Sequence, residues 1–389
     1  MPRTPRLGIV GIGAQGSIYA ALIANGMVPN LEIGAIVDEN PARRQIAESN
    51  HPGTPFYDDY LTMLDSGTVD AVVICVPPYL HPQMGIEALQ RDIHVLLEKP
   101  AGVYTKQVEE LNALAATKPE LTFAIMFNQR NNPLYRTIKQ IVSSGAIGEI
   151  RHNSWIITTW WRPQAYHDQS AWRATWGGEG GGVLVNQAPH QLDLWLWICG
   201  LPQSVYAKVG YGFRRAIAVE DEVTAIVDYG HDATGVFVTA THDLVGTDRF
   251  EILGDSGKIV VENSLTATVT RLKRPEQELS DAMEPEDVAN VLSRSLNLAD
   301  YYSSEVIEFE KSPAGVQHAG ILENFAANIL DGTPLIASGS DGINSVRLAN
   351  AIHLSSWTSQ EVPFDFNDDD YLTELNNRIR KEGLFPERV

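Results

Sequence analysis

The stretch "GGGVLVNQAPHQLD" places an amide, an imidazole and a carboxylate at Asn186, His190 and Asp193. If this segment is helical, intervals of four and three put them on one face. Imidazole titrates near neutrality, so His190 can take a proton from a hydroxyl group and return it. Asp193 can then orient the ring. Asn186 either caps the helix or hydrogen-bonds a substrate hydroxyl. Pro189 is tolerated in a first turn, where its missing N–H has no intrahelical partner. A second candidate is Lys99, in "HVLLEKP". A lysine between an acid and a proline, directly after a buried run, is poorly explained as solvated surface charge. Its ammonium can donate to the same oxygen and favour negative charge there. It can also act as the base itself if burial lowers its pKa. Upstream, "TTWWRPQAYHDQSAWRATWGGEGGG" mixes aromatic faces with hydrogen-bonding forks. Carbohydrates need both, for C–H surfaces and for hydroxyls. Trp161, Arg162, Tyr166, Trp172 and Arg173 are the candidate substrate contacts, with Lys99, Asn186 and His190.

Elements able to position these groups are legible around them. The apolar run "LGIVGI" leads into Gly11, Ile12, Gly13, Ala14, Gln15 and Gly16, then a helical stretch and a strand ending in Asp38. This is G-x-G-x-x-G between strand and helix, with an acid 22 residues after the last glycine. The glycines permit a tight turn, close approach of a pyrophosphate and close helix–strand packing. The helix N-terminus offers N–H donors to phosphate. Asp38 suits the ribose hydroxyls and repels a 2′-phosphate, which favours NAD over NADP, although Arg43 and Arg44 follow closely. Strand and helix patterns then alternate to about residue 128, predicting an α/β doubly wound parallel sheet of the Rossmann type. Ligands of such sheets bind beyond the carboxyl ends of the strands. Val76, Pro77, Pro78, Glu98, Lys99 and Asn128 stand at those ends, and His81 either lines the cleft or caps a helix.

Residues 1–128 are thus read as the NAD-binding domain and 129–389 as a second, α+β domain. Six strand-like runs between residues 150 and 263 suggest an antiparallel meander with one face on helices. Residues 274–305 look polar and irregular, and "FNDDDYLTELNNRIRKEG" looks like an acidic tail helix. The 389-residue length fits two cores, and 44% apolar with 20% charged residues is a globular composition. A formal net charge of −20 argues against nucleic acid and anionic membranes as partners. No metal-ligand spacing occurs, and Cys75 and Cys199 lie in apolar runs, as buried thiols of a reducing compartment would. The glycines and Gln15 argue against a signal peptide at the N-terminus, and no run is long enough to span a bilayer, so a cytoplasmic location is expected.

In order and spacing, "GIVGIGAQG", "VPPYLHPQMGIEALQRDIHVLLEKP" and "GGGVLVNQAPHQLDLWLWICGLP" resemble the glucose–fructose oxidoreductase / inositol dehydrogenase (Gfo/Idh/MocA) family over nearly the whole chain. The resemblance implies an N-terminal Rossmann domain and a C-terminal domain with an open, mostly antiparallel sheet. That sheet is expected to join subunits into a homodimer or homotetramer. The resemblance also implies a nicotinamide cofactor and a sugar, polyol or related substrate between the domains. The family's lysine maps onto Lys99 and its histidine onto His190. An aspartate is common where Asn186 stands; a subset acting on sugars and glycosides is similar in having Asn-Gln there. Two reactions are consistent with this: oxidation of a sugar, glycoside or cyclitol by NAD, and cleavage of a glycoside through transient C3 oxidation with NAD held tightly.

Overall fold

The structure is a computed structural model and describes residues 3–383. Six short apolar runs form one parallel sheet: β1 (Arg6–Val10), β2 (Glu32–Val37), β3 (Phe56–Tyr57), β4 (Ala71–Ile74), β5 (His94–Leu97) and β6 (Phe123–Ile125). Their order is β3-β2-β1-β4-β5-β6, with every pair parallel. Apolar side chains point to both faces because helices cover both, so β4 is "AVVI", buried throughout. The chain changes direction across the sheet between β1 and β4, and a crevice opens there beyond the carboxyl ends.

Chain order and packing part company at the helix Val316–Asp331. It lies late in the sequence, yet Ile321, Leu322 and Phe325 pack in the core beneath β1 with Leu7, Ile9 and Tyr19. Its amphipathic spacing was legible; the sheet it covers was not.

The second sheet has nine strands. They are β7 (Ile150–Ile157), β8 (Ser204–Tyr211), β9 (Glu220–Gly230), β10 (Ala233–Ala240), β11 (Asp248–Gly254), β12 (Gly257–Glu262), β13 (Thr266–Leu272), β14 (Tyr302–Glu308) and β15 (Val362–Pro363). The order β14-β13-β12-β11-β7-β10-β9-β8-β15 corrects the expected simple meander. β7, first in sequence, sits in the middle, parallel to β10 and antiparallel to β11. Alternation along a strand reports its buried face but not its neighbours, so the insertion left no local signature. The polar segment 274–305, expected as a loop or an insertion with one helix, is also more ordered than that. It holds short helices at Glu276–Asp281 and Val288–Leu292 and leads into β14. β14 is an edge strand with most residues exposed, so it lacked the apolar alternation that marks a half-buried strand.

One face of this sheet buries Trp155, Phe237, Phe250 and Val223 against the helices Pro189–Cys199 and Gly342–Thr358. The other leaves Tyr206, Ile226 and Ile156 exposed. The tail helix Asp368–Glu382 forms as expected, with three aspartates in its first turn and Arg380 and Lys381 in its last. Among the described residues no helix is long and apolar enough to cross a membrane.

Candidate active site

The cofactor end follows from backbone geometry. Gly11 has φ +86°, and a Cβ there would stand 2.7 Å from the Cys75 carbonyl oxygen. A Cβ on Gly16 would come within 2.0 Å of the Gly11 carbonyl. On Gly13, in contrast, a Cβ would meet nothing within 4 Å. The first two glycines are required by the turn. The third keeps open the space before the helix Ala14–Ala24, whose N-terminus an anionic diphosphate can approach. Asp38 braces this loop. Its carboxylate accepts from the Ile12 and Asn40 backbone N–H groups, both at 2.9 Å. Arg44 is paired with Asp58 at 2.6 Å and lies over Phe56, while the Asp38 carboxylate stands where a 2′-phosphate would be repelled. The residues therefore fit NAD. Asp38→Ala is expected to weaken NADH binding about 10- to 100-fold, the worth of a hydrogen bond to a charged group, and to narrow the preference over NADPH. Fluorescence titration with both nucleotides measures this; an unchanged preference would remove Asp38 from the ribose site.

Lys99 stands just beyond β5, partly buried. Its Nζ donates to the Asn186 carbonyl oxygen at 2.9 Å, which leaves donors over for a ligand. Burial lowers its pKa, while Glu98 and Glu179 oppose that shift. Glu98 is itself buried. One of its oxygens accepts from the Tyr19 hydroxyl, and the other from the Lys99 backbone N–H at 2.9 Å. It therefore supports Lys99 rather than presenting a free carboxylate to a cofactor. His81 corrects both of its expected placements. It is buried, with Nδ1 2.7 Å from the Pro100 carbonyl and Nε2 2.7 Å from the Val76 carbonyl. It opens the helix His81–Gln90 without capping it, and since burial lowers its pKa the neutral ring donates to only one of these two carbonyls.

His190 reaches the same place from the second domain. The expected helix over 186–199 begins only at Pro189, and Ala188 is its N-cap residue. Asn186 closes a separate turn, Val183–Asn186, and so is not the cap. Its side-chain amide donates to the buried Glu179. Asp193 does not orient the imidazole either. It takes two hydrogen bonds from Arg130, at 2.9 and 2.6 Å, deep in the protein. His190 Nδ1 is buried with no partner among the described residues, and Phe127 meets the ring edge-on at 6.3 Å. Burial, then Lys99 and His318, hold the His190 pKa well below its ordinary value. The ring is therefore neutral and a proton acceptor at neutral pH.

Three residues of this site were not singled out in the sequence. His318 projects from the helix Val316–Asp331 to Asn128, with Nε2 3.1 Å from the Asn128 amide nitrogen. The buried side-chain oxygen of Asn128, Oδ1, has no partner among the described residues. Glu179 joins Asn186, the Ala174 N–H at 2.7 Å and Arg173 at 3.7 Å, and burial raises its pKa. An acid inside "GGEGGG" was a usable signal. Arg130 and His318 sit in ordinary helical contexts and gave none.

The aromatic segment is partly gathered. Arg173 lies over Tyr166 and Trp172 at 4.7 and 5.0 Å and donates to the Tyr166 hydroxyl at 2.7 Å. Arg162 stacks on Tyr166 at 5.1 Å, while Trp161 stays largely exposed. Val76, Pro77 and Pro78 end the β4 side of the crevice, and the Tyr79 hydroxyl there donates to the Trp176 carbonyl across the domain boundary at 2.6 Å. Cys75 and Cys199 are free thiols, partly buried. No group of side chains suited to a metal occurs among the described residues.

Both halves of the chain match known protein families. Residues 5–125 match the family described as "Oxidoreductase family, NAD-binding Rossmann fold". Residues 135–260 match the "GFO/IDH/MocA C-terminal domain". The chain is 26% identical to the uncharacterized oxidoreductase YrbE of Bacillus subtilis, over 90% of this chain and 93% of that protein. It is 23% identical to inositol 2-dehydrogenase of Rhizobium meliloti, over 90% and 96%. Levoglucosan dehydrogenase solved with NADH shares the fold at TM-score 0.78 and 19% identity, over 94% of this chain and 100% of that one. With the dinucleotide cradle, the interdomain cleft and both domain matches in place, this chain belongs to the GFO/IDH/MocA family of NAD-binding oxidoreductases.

Proposed function

We propose that the protein oxidises a secondary hydroxyl of a sugar, glycoside or cyclitol, with His190 and Lys99 handling the hydroxyl proton. The observation that carries this reading is the meeting of two groups from different domains. Lys99 Nζ donates to the Asn186 carbonyl oxygen at 2.9 Å, four residues before His190, and burial, then Lys99, lowers the imidazole's pKa. The pair then has divided roles. Neutral His190 accepts the hydroxyl proton, and the Lys99 ammonium hydrogen-bonds the oxygen as negative charge develops. When bound, NAD takes the hydride from the same carbon. Asn128, Glu98 and Tyr19 hold the Lys99 side of the cleft. Asn186 lies against Lys99, and Arg173 with Tyr166 follows through Glu179, where hydroxyls and C–H faces can find partners. The names of inositol 2-dehydrogenase and levoglucosan dehydrogenase support a polyol or anhydrosugar-like substrate class.

The test is a screen of sugars, cyclitols and glycosides with NAD, following absorbance at 340 nm and products on the same samples. Stoichiometric NADH and a keto product are expected. Release of an aglycone with no net NADH would replace this reading with glycoside cleavage through transient C3 oxidation.

A further inference from the structure

Glu179 is an acid that the proton transfer described above does not use, yet it is only 3% exposed. The loop around it is packed so as to turn it inward. Gly180 has φ +84°, and a Cβ there would stand 2.1 Å from Val103 Cγ1, in the segment that follows Lys99. A Cβ on Gly182 would come within 2.1 Å of the Glu220 carbonyl oxygen. The Glu179 and Gly180 N–H groups both donate to the Thr175 carbonyl at 3.0 Å. Ala174 has φ +54°, in the left-handed region that few non-glycine residues enter, and its N–H donates to Glu179 Oε2 at 2.7 Å. Backbone held in this way around a buried acid is a feature of functional sites.

Both oxygens of Glu179 are acceptors. Oε2 takes the Ala174 N–H, Oε1 takes the Asn186 side-chain amide, and Arg173 Nη1 stands 3.7 Å from Oε1. Two donors and a cation favour the carboxylate against the burial that opposes it. The Asn186 amide is thereby fixed in one orientation, with Nδ2 on Glu179 and Oδ1 accepting from the Gln187 amide at 3.1 Å. The main-chain carbonyl of the same residue accepts from Lys99 Nζ at 2.9 Å. Asn186 is therefore a bridge: Glu179 holds its side chain, and its carbonyl holds Lys99. Glu98, at the end of β5, and Glu179, from the glycine loop, both oppose loss of the Lys99 proton. The other titratable groups facing Lys99 are His81, His190 and His318, each on its own helix, and burial lowers the pKa of all three, so none adds a negative charge. Glu220, the second acid near Glu179, is engaged elsewhere, accepting from the Leu184 N–H at 3.0 Å and lying 3.2 Å from His353 Nε2.

We propose that Glu179 is a positioning residue for the proton-transfer pair: through Asn186 it fixes the carbonyl oxygen that holds Lys99, and it supplies the second negative charge facing that ammonium. Glu179 meets no reacting atom itself. A hydroxyl bound at Lys99 and His190 then finds an ammonium already aimed and kept charged, with no reorganisation needed as negative charge develops on the oxygen. The inference deepens the function proposed above and rests on it for the role of Lys99.

Competitive acetylation tests this without substrate or NAD. Trace acetic anhydride reacts with neutral amines, so labelling of Lys99 against pH, read by peptide mass spectrometry, reports how firmly its proton is held. Glu179→Gln removes the charge. The midpoint of the Lys99 curve is expected to move to lower pH, and labelling at a fixed pH below it to rise about three- to tenfold. The alkaline limb of kcat/KM should move to lower pH with it, because an ammonium with fewer counter-charges loses its proton sooner. Combining Glu179→Gln with Asn186→Asp carries the carboxylate to the other end of the same hydrogen bond. The introduced glutamine accepts from Ala174 and donates to the introduced aspartate, which still accepts from Gln187. This double variant should label within about twofold of the wild type. NADH affinity and circular dichroism verify that the variants fold. An unmoved midpoint in folded Glu179→Gln would overturn the proposal, as would a double variant whose midpoint stays with the single one. Should Glu179→Gln alone not fold, the double variant decides, and a departure of about threefold or more from the wild type overturns the proposal. The two readings fail separately. Lys99 labelling that follows Glu179, with no sugar, cyclitol or glycoside oxidised, refutes the dehydrogenase reading alone. Oxidation with Lys99 labelling indifferent to Glu179 refutes the positioning role alone.

Discussion

Replacing Lys99 by methionine, or His190 by glutamine, is expected to slow substrate oxidation by about 10²–10⁴-fold, the range for a positioned proton-transfer group. NADH should still bind, because the glycine loop and Asp38 hold the far end of the dinucleotide. The pH profile distinguishes the two roles. The His190 pKa is depressed, so the free enzyme keeps this base neutral through pH 6.5, and the acid limb of kcat/KM should fall below that value. The Lys99 pKa is also depressed, so if its ammonium is the required donor, activity should decline on an alkaline limb beginning below 10.5. His190→Gln should abolish the acid limb, and Lys99→Met the alkaline one. Were Lys99 the base, Lys99→Met would remove the acid limb instead. Losses of less than about tenfold for both substitutions would end the assignment of proton transfer to this pair.

The largest stability effect is expected at Asp193. Arg130 makes two hydrogen bonds to it and a third, at 2.6 Å, to the more exposed Asp341. Burial works against the Arg130 charge, and Asp193 and Asp341 together overcome it. Burial lifts the Asp193 carboxyl to about 6, which leaves it ionised at neutral pH beside the guanidinium. Asp193→Ala leaves Arg130 buried with Asp341 alone. Breaking a buried pair in this way costs about 3–5 kcal/mol, measurable by denaturant unfolding of the apo protein. Removing both charges together, as Arg130→Met with Asp193→Leu, should recover much of that loss, because the desolvation of both ions disappears. Failure of the double variant to recover any stability would mean that the pair specifies the structure beyond its charge balance. Asp193 lies one turn after His190 on the same helix, so weakening this anchor also loosens the base.

The sequence by itself determined the parts whose requirements are local. Gly11 and Gly16 are dictated by a turn with no room for Cβ, and that demand is written in adjacent residues. The buried runs of β1, β4 and β5 declare a sheet covered on both faces, and a sheet of that kind fixes where a ligand binds. Lys99 could be named because it follows a buried strand, and His190 because it opens a helix after a glycine-rich run. Tertiary structure decided the partners. Asn186, His190 and Asp193 have helical spacing, but the helix starts at Pro189; Asn186 is held by Glu179 before that helix, Asp193 by the distant Arg130, and His190 Nδ1 by no group among the described residues. Asp193 answers to Arg130, 63 residues away, because a buried carboxylate takes whichever cation the packing delivers. His318 enters the cleft only because the helix Val316–Asp331 crosses back onto the first sheet. The placement of β7 beside β10 likewise depends on which edges meet. Backbone conformation is encoded residue by residue, whereas the pairing of buried polar groups is settled only when distant surfaces close on one another.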